Sequence, residues 1–231
     1  MSSMTESVAR LSRRQIAWRA AQDIENGWYV NLGIGLPTLA ASYVPDGREI
    51  VFHSENGLLG VGTYPKPGEE DPDLINATKE YVTLAKGASV FKHSDSFTMI
   101  RGGHLDLALL GAFEVSLKGD LANWTTEDPN FPPGVGGAMD LAVGAKRIRV
   151  LMEHTTRKGE PKIRNVCKYP LTASSVVKRL YTDLAVIDVT EDGLLVVEMA
   201  EGLTREALQD VTEAPLTYAA TVGVLKAPAV A

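Results

Sequence analysis

The sequence predicts an α/β layered domain built on a mainly parallel central sheet with some antiparallel additions. Three observations carry that expectation. Strand-like runs alternate with helix-like segments at first, and strand-rich segments follow. The 231 residues are long enough for one sizeable core. A hydrophobic fraction of 45% and a charged fraction of 23% are those of a soluble globular protein. No internal repeat is visible, so residues 1–231 are read as a single domain. Residues 1–10 and 217–231 are expected to be flexible or docked tails.

The first element is a helix. Ser12 and Gln15 form a capping-box pattern, in which each side chain satisfies a free backbone N–H. Ile16, Ala20 and Ile24 recur on one face, with Ala17 and Ala21 beside them, and Gly27 supplies a stop. A strand over Trp28 to Leu32 follows, then the turn GIGLP, where Pro37 opens a short helix. The turn PDG leads to a strand over Arg48 to Phe52. Residues 60–75, rich in Pro, Gly and acids, read as an exposed loop, and Lys79 in INATKE sits on an expected helix.

Further strands are expected at Ala88–Phe91, Leu107–Val115, Arg147–Glu153 and Leu184–Val189. The last pairs with Leu194–Glu198 through the hairpin signal TEDG. Helices are expected over AMDLAVGAK, from about Leu171–Ser174 through VVKRLY, and from Thr204.

The net charge of −6 argues against nucleic acid as a partner and against an anionic membrane surface. It leaves room for a small anionic ligand, which needs only a local cation or a few oriented N–H groups. The single cysteine, Cys167, allows no intrachain disulfide and reads as a structural thiol. The N-terminus lacks the apolar stretch of a signal peptide, and no apolar run approaches a membrane span, so a cytoplasmic location is expected. His53, His93, His104 and His154 make no metal-binding pattern, and no serine lies in G-x-S-x-G.

Three stretches could carry chemistry. NLGIGLP, Asn31 to Pro37, places Gly33 and Gly35 between a strand and a helix, where backbone N–H groups can approach an anion. It lacks the full dinucleotide pattern, since position 38 is Thr. Asn31, at the strand end, can reach a ligand in the crevice there. GVGGAMD, Gly134 to Asp140, is a second glycine turn before a helix and permits close backbone approach to a ligand. HSENGLLG holds Glu55 beside an Asn-Gly turn. Read alone, Glu55 is either a solvated acid in a tight turn or a carboxylate held at the carboxyl edge of the sheet, poised as base or nucleophile. RGGHLD and DLANW read as structural clusters.

The spacing of NLGIG, then SENG with Glu55 following Asn31 by 24 residues, then GxGGAMDL resembles the B (beta) subunit of the 3-oxoacid coenzyme A-transferases, the family I CoA-transferases. The likeness runs from about Leu11 to Pro215 and includes DLINATKE, GDLANW and MEHTTRKGEPKI. It implies a CoA-transferase fold and a ping-pong reaction through a glutamyl-CoA thioester on Glu55. By the same resemblance Asn31 lies near the CoA or oxyanion region and Lys79 meets CoA. Gly134, Gly137, Ala138 and Met139 line the thioester arm, while Gly33 and Gly35 shape the neighbouring turn. Coenzyme A is a co-substrate, with no permanently bound cofactor and no metal.

The resemblance also implies a separate A-type (alpha) partner chain, in a heterodimer or an A2B2 heterotetramer. CKYPLT and PPGVGGAMD point toward 3-oxoadipate with succinyl-CoA, where acetoacetate-using relatives usually carry KGMGG. An acetoacetate-using transferase, an acyl-CoA hydrolase and a non-catalytic ligand sensor remain as alternatives.

Overall fold

The computed structural model describes residues 8–130 and 132–230. In chain order the helices are α1 (Arg13–Ala21), a 3-10 helix (Leu36–Tyr43), α2 (His93–Arg101), α3 (Ala138–Gly144) and α4 (Arg205–Asp210). The strands begin with β1 (Tyr29–Leu32), β2 (Val51–Ser54), β3 (Leu58–Val61), β4 (Leu84–Val90) and β5 (Leu107–Gly111). They continue with β6 (Glu114–Ser116), β7 (Leu121–Ala122), β8 (Ile148–Leu151) and β9 (Ile163–Arg164). The last four are β10 (Val177–Tyr181), β11 (Ala185–Thr190), β12 (Gly193–Ala200) and β13 (Leu216–Leu225).

Ten strands form one sheet in the order β13-β12-β11-β10-β8-β5-β1-β2-β3-β4, and β7-β6-β9 form a second, small sheet. The middle five strands, β10 to β2 in that order, are all parallel, with antiparallel hairpins flanking them on both sides. A parallel sheet must be covered on both faces. On β5, Leu107 and Leu109 enter the core beneath α1 and the 3-10 helix, while Ala108 and Leu110 enter the opposite core beside Ile100 and Leu141 of α2 and α3. Gly144 permits the contact between those two helices, because any Cβ there would overlap the Ile100 carbonyl.

The capping box on α1 forms: Ser12 Oγ accepts from Gln15 N–H at 3.3 Å, and Gln15 Oε1 accepts from Ser12 N–H at 2.9 Å. Arg19 pairs with Asp23 at 2.9 Å and Glu198 at 2.6 Å, tying the helix to β12. Asp23 also meets Arg179 of β10 at 2.8 Å.

Several expectations are corrected. The segment expected to be helical through VVKRLY is β10, a central strand. Val177, Leu180 and Tyr181 are buried between β8 and β11, and pairing there outweighs local helix preference. The polar residues before it tie loops together: Thr172 Oγ1 donates to Asn123 Oδ1 at 2.6 Å, and Ser175 N–H donates to Asp120 Oδ1 at 3.0 Å. Of the tail 217–231, expected to be flexible or docked, residues 217–225 are docked as part of β13, which extends the sheet by parallel pairing with β12, and residue 231 lies outside the described residues. At the other end, residues 1–7 lie outside the described residues, and Arg10 pairs with Asp183 at 2.8 Å.

The strand expected over Leu107–Val115 breaks at Ala112-Phe113 into β5 and β6, which belong to different sheets. Lys79 lies in a turn, because Asn76 Oδ1 accepts N–H bonds from Thr78 and Glu80 at 2.9 and 3.0 Å and so competes with helix formation. Among the described residues, no helix is long and apolar enough to cross a membrane.

His154 is fully buried, with Thr182 Oγ1 at 3.0 Å and Thr212 Oγ1 at 2.8 Å from its two ring nitrogens. Burial pushes its pKa down from 6.5 to about 4. Between those values the unfolded chain binds a proton that the folded chain refuses. This contribution to stability is complete above pH 6.5 and is lost as the pH falls toward 4. Urea denaturation across that range should show stability declining with pH, and His154→Gln should make the decline shallower. A wild-type slope in the variant contradicts this assignment.

Candidate active site

The strands β1, β2, β5 and β8 are parallel, so their carboxyl ends open on the same edge of the sheet. Ligands collect at such an edge in open α/β sheets. A cavity of about 540 Å³ lies there, lined among others by Asn31, Gly33, Gly35, Glu55, Gly134, Gly137 and Ala138. Seven of the nine residues expected from sequence therefore share one cavity. Met139 does not line it and is 40% exposed. Lys79, exposed in its turn with φ of 65°, does not line it either. The 75–77 segment just before Lys79 is strapped to the Glu55 hairpin: Asn56 Nδ2 donates to the Ile75 carbonyl at 2.7 Å and Ala77 N–H donates to Ser54 Oγ at 2.9 Å.

Glu55 begins a three-residue loop, Glu55-Asn56-Gly57, between β2 and the antiparallel β3. Gly57 N–H donates to the Ser54 carbonyl at 3.0 Å, closing the turn. Gly57 has φ of 119°, and any Cβ would overlap the Phe91 carbonyl, so glycine is needed here. A Cβ at Gly137 would overlap Glu55 Oε2, so the bare backbone of the second glycine turn lies directly against the carboxylate. Among the described residues, the N–H groups of Gly136 and Gly137 have no hydrogen-bond partner.

Glu55 is partly buried. Burial raises its pKa above the usual carboxylate range; His93 opposes that shift and Asp140 adds to it. Arg101 binds Asp140 with two bonds, at 2.6 and 3.2 Å, which tempers the acid's field at Glu55. His93, Phe97 and Arg101 form a second opening beside Glu55. All three lie on α2, which sequence reasoning missed. Its N-cap is Lys92, with no side-chain capping bond, and buried Ser96 interrupts the apolar face.

Behind the hairpin, Asn31 and His53 are aligned across the β1–β2 pair. Asn31 Nδ2 donates to His53 Nδ1 at 3.0 Å and to the His53 carbonyl at 3.2 Å. Both amide hydrogens are thereby committed. His53 Nε2–H then donates to Ser96 Oγ at 2.8 Å. This network assigns the imidazole tautomer, and burial, which pushes its pKa down to about 4, keeps the ring neutral. Asn31 therefore turns its carbonyl oxygen, not its NH2, to the cavity. Cys167 lies outside the cavity; burial pushes its thiol up to about 12, which suppresses the nucleophilic thiolate.

Cavity-lining residues with no sequence signal are Arg13, Glu153 and Lys162. They come together only because α1, the end of β8 and the start of β9 meet in space. Among the described residues, no cluster of three or more His, Cys, Asp and Glu residues could hold a metal ion.

Comparison with known proteins places this geometry in a family. A model described as coenzyme A transferase matches residues 13–210. The chain is 58% identical over 210 residues to the B subunit of the 3-oxoadipate CoA-transferase of Acinetobacter baylyi, covering 91% of this chain and 97% of that one. It is 52% identical over 202 residues to the B subunit of the succinyl-CoA:3-ketoacid coenzyme A transferase of Helicobacter pylori, covering 87% and 97%. Among solved structures, an acyl-CoA transferase apoenzyme from Escherichia coli O157:H7 superposes with a TM-score of 0.71 at 18% identity, which speaks to the fold alone. The match covers 93% of this chain, which spans less than half of that longer one, 43%. The chain belongs to the coenzyme A transferase family and is an enzyme subunit of that family.

Proposed function

We propose that this chain is the B subunit of a CoA-transferase that moves coenzyme A from succinyl-CoA to a 3-oxoacid, with 3-oxoadipate favoured, through a glutamyl-CoA thioester on Glu55. The single observation that carries the reading is the position of Glu55. It is a partly buried carboxylate at the sheet's carboxyl edge, against the bare backbone of Gly137, in a cavity large enough for an acyl thioester. The 58% identical relative, named for 3-oxoadipate, supports the substrate preference. The 52% identical relative named for succinyl-CoA and 3-ketoacids supports a second reading, in which acetoacetate is the acceptor.

A Glu55 carboxylate oxygen adds to the thioester carbonyl, the C–S bond breaks, and CoA thiolate leaves with the electron pair. The product is a mixed anhydride of Glu55 and the donor acid. The thiolate then adds to the glutamyl carbonyl, the C–O bond breaks, and the donor acid departs as carboxylate, leaving Glu55 as its CoA thioester. The acceptor carboxylate runs these steps in reverse. Burial strips water from Glu55 and strengthens its interactions with fixed dipoles. The free N–H groups of Gly136 and Gly137 are donors for the tetrahedral oxyanion, and Asn31 supplies an acceptor for an N–H or O–H of the CoA arm.

An A-type partner chain completes the site in this reading, as a heterodimer or a doubled one. Its support is the subunit naming of the relatives together with Ile34, 73% exposed on the cavity wall, and Val143, 75% exposed on α3. Lys79 and Met139, outside the cavity of the isolated chain, would reach CoA only from the rim.

Co-expressed with an A-type partner, the chain should transfer CoA from succinyl-CoA to 3-oxoadipate faster than to acetoacetate. Equal rates defeat the preference, and release of free CoA to water without an acceptor favours hydrolysis. Gly137→Ala should displace the Glu55 carboxylate and lower kcat by roughly 100-fold, whereas a near-wild-type kcat removes Gly137 from this role. Only ionised Glu55 is nucleophilic and its pKa is raised. The acid limb of kcat/KM should therefore lie above the ordinary glutamate value of about 4.3. A limb at or below that value contradicts the burial argument.

A further inference from the structure

The cavity that holds Glu55 extends along the sheet edge to a second group of charges. From β2 the order runs through β1 and β5 to β8, whose end leads to Glu153. Adjacent strands lie about 4.8 Å apart, so three steps separate the two ends by roughly 14 Å. At the far end Arg13, Glu153 and Lys162 all line the wall. Arg13 pairs with Glu153 at 3.2 Å, with both side chains substantially exposed, so this pair is weak.

Lys162 is different. It is partly buried, and burial lowers its pKa, while Glu153 and Asp183 pull it up and Arg13 pushes it down. Yet no carboxylate among the described residues lies within 4.0 Å of its ammonium. Asp183, the other acid nearby, is committed to Arg10 at 2.8 Å and to the His154 N–H at 2.7 Å. Two cations and one carboxylate therefore face the far end, a surplus of one positive charge. A partly buried ammonium with no close carboxylate gains from an anionic ligand.

We infer that Lys162, with Arg13 beside it, binds the distal carboxylate of a dicarboxylic acyl group whose thioester end lies at Glu55. This rests on the transfer reaction proposed above and identifies what selects its acyl substrate. An extended four- to six-carbon diacid spans about 4–7 Å on ordinary bond lengths. The glutamate and lysine side chains that face it from either end supply the remaining distance. A monocarboxylic acyl group of the same length leaves the ammonium without a carboxylate partner, so the site favours the diacid.

The test uses the complex of this chain with its A-type partner and measures kcat/KM for formation of the enzyme-bound CoA adduct from succinyl-CoA and from acetoacetyl-CoA. The two thioesters share CoA and a four-carbon acyl chain, and succinyl carries a distal carboxylate where acetoacetyl carries a neutral methyl ketone. Lys162→Met should lower the ratio of the two values by roughly 10- to 100-fold against succinyl-CoA, chiefly through KM, with Lys162→Arg recovering part of it. Lys162→Gln, which keeps a polar tip, should show the same direction if the methionine variant folds poorly. An equal loss with both thioesters, as a contact to the CoA phosphates or a purely structural role predicts, overturns the inference. So does an unchanged ratio. A wild-type complex that forms no adduct with either thioester overturns the transferase reading itself and this inference with it.

Discussion

The parallel pairing of β1 with β2 is the constraint on which the site depends. Its register puts Asn31 beside His53 and ends β2 one residue before Glu55. His53 sits at the junction of three elements, accepting from Asn31 on β1 and donating to Ser96 on α2. Protonating the ring would put two donors face to face at Asn31 Nδ2, and burial already disfavours that form. The neutral imidazole thus fixes the strand end, the orientation of Asn31 and the distance of α2 at once. A slip of one residue would send His53 to the other face and break all three relations.

Glycine decides the rest. Gly57 closes the hairpin where no side chain fits, Gly137 lets the backbone lie against Glu55, and Gly144 seats α3 on α2. The result holds the Glu55 carboxylate in partial burial, which raises its pKa, while His93 opposes that shift and keeps ionisation accessible. In the proposed reaction neither effect alone yields a nucleophile. Full burial would leave the acid protonated, and full exposure would leave it hydrated.

Much of this was legible in the sequence wherever local chemistry decides the structure. The Ser12–Gln15 capping box, the TEDG hairpin and the two glycine turns are local devices, and each forms. The sheet-edge position of Glu55 was one of two readings that its Asn-Gly turn allowed, and the family resemblance of SENG chose between them. What failed was decided by distant partners. Val177 to Tyr181 became a strand because β8 and β11 flank it. Leu216 to Leu225, low in charge and without a strong period, became ordered by pairing with β12. Asn76 captured two N–H groups and turned the expected Lys79 helix into a tight loop. Lys162 carried no signal, because its meaning comes from sharing a cavity with Glu55 across three strands.

The account turns on Glu55 becoming covalently attached to CoA. The complex of this chain with its A-type partner, given succinyl-CoA without an acceptor and then treated with borohydride or hydroxylamine, can be digested and read by mass spectrometry. The account predicts that the modification falls on the peptide containing Glu55 and disappears when 3-oxoadipate is added first. Transfer that proceeds at full rate while that peptide stays unmodified would contradict it.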